Sequence, residues 1–127
     1  MRPYNKSDYD YLYSSLKSEG FSKEQMTFEA DMTFLTDSGF FSFRIENGFP
    51  RLVHFYIDKD MRSLATASSM LKVFIDIMRR NNYLFFIAEA PKELPYMKRI
   101  IKYIKGKEYL KVDGDTFFYV PVCGRFK

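Results

Sequence analysis

The stretch from Phe49 to Met78 constrains the fold of this chain most strongly. An apolar, β-rich run over Leu52–Ile57 passes through the charged loop Asp58–Met61 into a segment with helical periodicity from Arg62 onwards. A strand that leads directly into a helix presents unpaired backbone N–H groups at the positive end of the helix dipole. This arrangement suits the binding of a phosphate group.

Length and composition predict one globular domain over residues 1–127. The chain is 46% hydrophobic and 19% aromatic, with 14 Phe, 10 Tyr and no Trp. A chain of this length buries roughly two-thirds of the surface that it exposes when unfolded. We therefore expect most of the aromatic rings to fill the space between a sheet and its covering helices.

Charge and cysteine content narrow the class of protein. The net charge of +4 is compatible with an anionic ligand but too small to indicate nucleic-acid binding by itself. Cys123 is the only cysteine, which excludes an intrachain disulfide and favours a reducing compartment. The first residues lack the apolar segment of a signal peptide, and no run is long enough to span a membrane. We expect a cytoplasmic protein that binds no metal and no membrane.

Periodicity and turn signals predict the first half of the chain. A short strand within residues 1–5 precedes a helix that starts with a capping-box pattern at Ser7 and stops at Gly20. A short helix over residues 23–28 follows. Three antiparallel strands come next, over residues 32–35, 40–46 and 50–57, and Asn47-Gly48 joins the last two as a hairpin.

The second half alternates between helix and strand. Helical stripes over residues 62–80 and 94–104 flank a continuous apolar run, Tyr83–Ala88, which we expect to lie parallel to Leu52–Ile57 because a helix connects them. Residues 109–112 and 116–122 predict a closing hairpin. The predicted class is α/β (α+β), with a mixed, mostly antiparallel sheet of six to seven strands and about four helices.

The segment at Ile57–Ala67 and the order of elements resemble the GCN5-related N-acetyltransferases, which share the acyl-CoA N-acyltransferase fold. In that family an aliphatic strand end precedes the motif (Gln/Arg)-x-x-Gly-x-(Gly/Ala), which cradles the pyrophosphate of coenzyme A. Here Ile57 matches the aliphatic position, Arg62 the basic one, and Ala65 and Ala67 the small ones. Short bacteriophage-encoded members have similar proportions.

The resemblance implies transfer of an acetyl group from acetyl-CoA to an amine acceptor, a small molecule or a protein. It places coenzyme A at the end of the strand and the start of the next helix. The cofactor-binding residues would be Tyr56, Ile57, Arg62, Ser63, Leu64, Ala65, Thr66 and Ala67.

Three residues are candidates for the proton transfers of such a reaction. His54, the only histidine, lies on the strand before the helix, and its ordinary pKa is near neutral. By simple alternation it shares a face with Leu52 and Tyr56, unless a bulge intervenes. Glu89, expected at the end of the next strand, is the second candidate base. Tyr96, on the following helix, is a candidate acid.

Departures from the family pattern support an alternative function. Ala65 replaces the first glycine of the motif, and the asparagine that usually precedes the family's tyrosine is absent, with Pro91 and Pro95 nearby. The alternative is a catalytically degenerate member of the fold that binds a macromolecule, either a protein partner or a second copy of itself. A third hypothesis, a small nucleic-acid-binding module, rests on charge and aromatic content alone.

Overall fold

The computed structural model describes residues 1–92 and 95–122, and the side chains of Pro95 and Tyr96 are not described. The strands are β1 (Arg2–Pro3), β2 (Met32–Leu35), β3 (Gly39–Glu46), β4 (Phe49–Ile57), β5 (Phe85–Ala90), β6 (Lys107–Val112) and β7 (Asp115–Pro121). The α-helices are α1 (Tyr9–Ser18), α2 (Leu64–Arg80) and α3 (Pro95–Tyr103). Three short 3-10 helices cover Lys6–Asp8, Lys23–Gln25 and Lys59–Met61.

All seven strands form one sheet in the order β1-β2-β3-β4-β5-β7-β6. Every neighbouring pair is antiparallel except β4 and β5, which are parallel with Arg51 opposite Ile87 and Leu52 opposite Ala88. The predicted order of elements and the parallel pair are confirmed. A parallel neighbour requires a crossover, and α2 provides it.

Local signals place the helix starts slightly differently from the sequence prediction. The capping box of the first helical segment is formed by Asn5 and Asp8, not by Ser7 and Asp10. The expected helix over residues 23–28 is a single 3-10 turn, Lys23–Gln25, although Ser22 and Gln25 do form its capping box. Strand β5 runs from Phe85 to Ala90, two residues later than the predicted Tyr83–Ala88, so Glu89 lies within the strand.

Two tight turns require backbone conformations with positive φ. Asn47 and Gly48 have φ values of 55° and 84°, and Asp113 and Gly114 have values of 51° and 87°. Both pairs match the two-residue hairpin turn that suits the twist of the flanking strands. The Asn47-Gly48 hairpin predicted from the sequence is confirmed.

Each face of the sheet carries its own apolar core. Helices α2 and α3 cover one face, where Phe41, Phe74 and Phe86 meet edge to face at 4.7 to 5.5 Å between ring centroids. Helix α1 covers β2 to β4 on the opposite face, where Leu12 and Leu16 pack with Phe28, Leu35, Phe40 and Tyr56. The predicted helical stripe over residues 94–104 begins at Leu94, which lies outside the described residues.

A β-bulge in β4 determines which core each side chain joins. Phe43 pairs with Leu52 and Ser42 pairs with His54, so Val53 is an extra residue on β4. Leu52 therefore joins the core beneath α2, whereas His54 and Tyr56 face α1 and the loop that follows it. The expectation that His54 shares a face with Leu52 is wrong because the bulge reverses the alternation, and the pairing of His54 with Tyr56 holds.

Candidate functional site

A cleft of about 660 Å³ opens where β4 and β5 diverge. The two strands pair only through Arg51 and Leu52, after which five residues of β4 continue without β5 as a neighbour. The loop after α1 forms the facing wall, with Glu19, Gly20 and Phe21. Unpaired strand backbone and charged side chains thus line the same depression.

An arginine and two acidic side chains meet at the point of divergence. Arg51 Nη2 lies 3.1 Å from Glu89 Oε1, and Arg51 Nη1 lies 3.1 Å from Glu46 Oε1. Burial raises the pKa of Glu89; the guanidinium of Arg51 opposes this rise, and the nearby carboxylate of Asp115 adds to it. Asp115 is itself held by the backbone N–H of Lys92, which donates to its Oδ1 at 3.0 Å. Glu89 is therefore a half-buried carboxylate whose proton affinity is increased within the cleft.

His54 is buried, with 2% of its surface exposed, beneath the ring of Phe21. Its Nε2 accepts a hydrogen bond from the backbone N–H of Thr27 at 3.3 Å. Burial lowers the pKa of His54 to about 4; Asp31 opposes this shift and Arg44 adds to it. The imidazole is neutral at physiological pH, but it binds a proton much more weakly than the ordinary histidine that the sequence suggested.

An ion pair between Asp31 and the partly exposed Arg44 lies next to His54. Arg44 Nε is 3.1 Å from Asp31 Oδ1, and Arg44 Nη2 donates to Thr27 Oγ1 at 2.7 Å. Thr27 also donates through its hydroxyl to Asp31 Oδ2 at 2.5 Å. These contacts fix the loop between the second 3-10 helix and β2 against the sheet, so that the Thr27 N–H is held towards His54.

The start of α2 combines a capped helix end with an engaged arginine. Ser63 is the N-cap, and its Oγ accepts from the backbone N–H of Thr66 at 3.0 Å. Arg62 Nε donates to Ile57 O at 2.8 Å, its Nη2 contacts the carboxylate of Glu19, and its guanidinium lies 5.3 Å above the ring of Tyr56. Arg62 thus links the end of β4 to the end of α1.

The cofactor-binding residues predicted from the sequence fall at one place. Tyr56 and Ile57 end β4 with buried side chains, and the next residues form the turn into α2. Leu64 and Ala65 are exposed at the first turn of the helix, and Ala67 is buried beneath it. The first N–H groups of a helix have no acceptor within the helix. The start of α2 could therefore accept a phosphate group. The methyl group of Ala65 leaves less room for close approach to the backbone than a glycine would.

The catalytic candidates are brought together only in part. His54 and Glu89 both line the cleft, one on each of the diverging strands. The side chain of Tyr96 lies outside the described residues, and so does Cys123. The role of Tyr96 as the acid stays a prediction.

Sequence reasoning missed four charged residues of the cleft, Glu19, Arg44, Arg51 and Asp115. Arg51 stands out in hindsight as a charged residue inside an otherwise apolar strand. Asp115 belongs to the turn Asp113-Gly114-Asp115, where an acidic residue is ordinary. Glu19 ends a helix, and no sequence pattern relates it to Arg62, which is 43 residues further along.

Comparison with known proteins gives structural matches only. No protein-family model and no curated protein matches the chain. A GNAT-family acetyltransferase from Staphylococcus aureus Mu50 superposes with a TM-score of 0.78 at 15% identity, covering 94% of this chain and 96% of that one. The chain has the acyl-CoA N-acyltransferase fold of the GCN5-related N-acetyltransferases (GNAT).

Two further solved structures share this GNAT fold. A spermidine N-acetyltransferase chimera from Vibrio cholerae and hSSAT matches with a TM-score of 0.75 at 10% identity, covering 99% of this chain and 98% of that one. A putative acyl-CoA N-acyltransferase from Klebsiella pneumoniae matches with a TM-score of 0.69 at 12% identity, covering 91% and 90%. Sequence identities this low show a shared fold and do not by themselves show a shared activity.

Two other kinds of site, a membrane-spanning helix and a metal centre, are not found within residues 1–92 and 95–122. No helix there is both long and apolar enough to cross a membrane. No group of three or more His, Cys, Asp or Glu side chains there is placed to hold a metal ion.

Proposed function

We propose that the protein is an N-acyltransferase that moves an acetyl group from acetyl-CoA to an amine in the cleft between β4 and β5. The observation that carries this proposal is the divergence of the parallel strands β4 and β5, followed by a 17-residue helix, α2. The helix start provides N–H groups and a positive dipole end for a phosphate. Tyr56, Ile57 and residues 62–67 are the proposed coenzyme A site.

Glu89 is the base that the geometry favours. In N-acyl transfer a C–N bond forms as the C–S bond of the thioester breaks, while the amine loses a proton and the departing thiolate gains one. A base near neutrality must bind a proton readily and still be deprotonated in part. The raised pKa of Glu89 moves this carboxylate towards that condition, whereas the pKa of about 4 moves His54 away from it.

The walls of the cleft, where the amine acceptor would bind, carry both acidic and basic side chains. Glu19, Glu89 and Asp115 line the cleft together with Arg44 and Arg51. The carboxylates suit the ammonium group of an amine, and a cytoplasmic amine, small molecule or protein, is the proposed acceptor. The similarity to short bacteriophage-encoded members stays a prediction.

One specific observation favours the alternative, a fold member that binds a partner without catalysis. Arg62, the residue proposed to contact pyrophosphate, already contacts Glu19 and the carbonyl of Ile57. A ligand would have to compete with Glu19 for this guanidinium.

Titration with coenzyme A and an assay of thiol release distinguish the two functions. We expect coenzyme A to raise the melting temperature and an amine panel to release free thiol from acetyl-CoA. Binding without thiol release from any amine would favour the degenerate form, and the absence of binding at millimolar coenzyme A would contradict the proposal.

A further inference from the structure

Strand β6 lies at the edge of the sheet and is exposed along its whole length. All six residues from Lys107 to Val112 are exposed, and within the described part of the chain only β7 pairs with this strand. Among them, Tyr109, Leu110 and Val112 expose between 46% and 49% of their surface. A strand edge with free N–H and C=O groups is a template for pairing with another chain.

An aromatic row leads across the sheet to this edge. Phe49 and Phe85 lie 5.1 Å apart between ring centroids, and Phe85, Tyr119 and Tyr109 continue the row at 6.3 Å steps. Phe49, Tyr109 and Tyr119 are exposed. This row adds exposed aromatic surface to the sheet face beside the open strand edge.

The charged side chains of β6 are complementary to those of a second, antiparallel copy of the same strand. A bulge at Tyr109 places Glu108 and Lys111 on the same face, since Glu108 pairs with Phe118 and Lys111 with Thr116, both buried. When β6 is paired antiparallel with a copy of itself about a two-fold axis between Tyr109 and Leu110, Glu108 lies opposite Lys111 of the second copy. This happens twice, once on each side of the axis.

The remaining pairs of that register agree with it. Lys107 lies opposite Val112 of the second copy, and both side chains project to the face that carries the aromatic row. Tyr109 lies opposite Leu110, which places apolar side chains at the axis. A slip of one residue would set Lys107 against Lys111 in one direction and Glu108 against Val112 in the other. Opposite charges across a strand pair stabilise it and like charges destabilise it.

We propose that β6 pairs antiparallel with β6 of a second copy of this chain, so that two seven-stranded sheets join edge to edge. The interface is isologous, because the same strand contributes from both protomers. In the isolated chain Lys111 reaches Glu108 of its own strand at only 3.7 Å, with both side chains exposed. The pairing replaces this weak contact, present once in each protomer, by two contacts between the protomers.

Sedimentation equilibrium tests the proposal directly. We expect the wild-type protein to have twice the chain mass of 15.2 kDa in the micromolar range. Glu108→Lys and Lys111→Glu should each weaken the dimer by about tenfold or more, because each turns two attractive pairs into repulsive ones. The double variant Glu108→Lys/Lys111→Glu should restore it.

Lys23→Glu, an exposed charge reversal in the 3-10 helix after α1, is the matched control and should leave the dimer unchanged. Circular dichroism verifies that each variant is folded. A wild-type protein that is monomeric up to about 100 µM, well above the concentration of ordinary specific association, would overturn the proposal. A dimer that is indifferent to both single reversals would overturn it as well, and neither result depends on acyl transfer.

Discussion

Arg51 of β4 and Glu89 of β5 form an ion pair, 3.1 Å between Nη2 and Oε1, beside the last paired residues of the two diverging strands. The pair joins the two walls of the cleft at its narrow end. It also influences the protonation of Glu89, since a nearby guanidinium favours the charged carboxylate.

Removal of the carboxylate at position 89 should remove the base. We expect Glu89→Gln to lower the rate of acyl transfer by about a hundredfold or more. The wild-type rate should rise with pH through the raised pKa of Glu89, because only the carboxylate accepts a proton, and the variant should lack this rise. Glu46→Gln is the matched control, since Glu46 also contacts Arg51 at 3.1 Å.

Arg51→Met should shift the same pH profile. Without the guanidinium, burial and Asp115 act on Glu89 unopposed, so the pKa of Glu89 rises further. We expect the rising limb of the rate to move to higher pH while the plateau persists. A profile that stays in place would show that another group limits the rate.

His54 should make the stability of the protein depend on pH. Its pKa is lowered to about 4 in the folded state, so between pH 4 and 6.5 the unfolded chain binds the proton more strongly. The free energy of unfolding should therefore rise with pH across this window, by about 3 kcal/mol, and level off above it. Urea denaturation of the wild type and of His54→Gln measures the difference. Equal slopes for the two proteins between pH 5 and 6.5 would contradict the shift.

Two buried hydroxyl groups should respond differently to removal. Within the described residues, Ser42 Oγ is buried without a hydrogen-bond partner, whereas Thr33 Oγ1 donates to Phe28 O at 2.7 Å. An unpartnered buried hydroxyl is destabilising, so Ser42→Ala should leave the free energy of unfolding unchanged or raise it. Thr33→Ser keeps the hydroxyl, and comparing it with Thr33→Ala isolates a loss of about 1 kcal/mol.

Arg62 should show its role in the binding of coenzyme A. We expect Arg62→Ala to weaken this binding by about 1–3 kcal/mol, the scale of a lost charged hydrogen bond. Glu19→Gln should not weaken it, because the variant removes the carboxylate that competes for the same guanidinium. Isothermal titration measures both. An unchanged dissociation constant for Arg62→Ala would rule out the proposed placement of the pyrophosphate.

The sequence predicted the order of elements because that order depends on local signals. Periodicity identified α2, and Asn47-Gly48 identified its hairpin, since both signals lie within a few residues. The bulge at Val53 could not be predicted, because no residue type marks a bulge of this kind. The environments of His54 and Glu89 depend on Thr27, Arg51 and Asp115, which the fold brings together from distant positions.

The extra residue Val53 shifts the alternation of side chains along the rest of β4 by one position. Every residue up to Leu52 keeps one assignment of faces, and every residue after it takes the opposite one. In a regular strand of the same sequence, Val53 would pair with Ser42 and His54 with Phe41, which would turn His54 into the apolar core beneath α2 and Phe55 towards the cleft. The single unpaired residue Val53 thus determines that the polar side chain of His54, and not the apolar one of Phe55, faces the cleft.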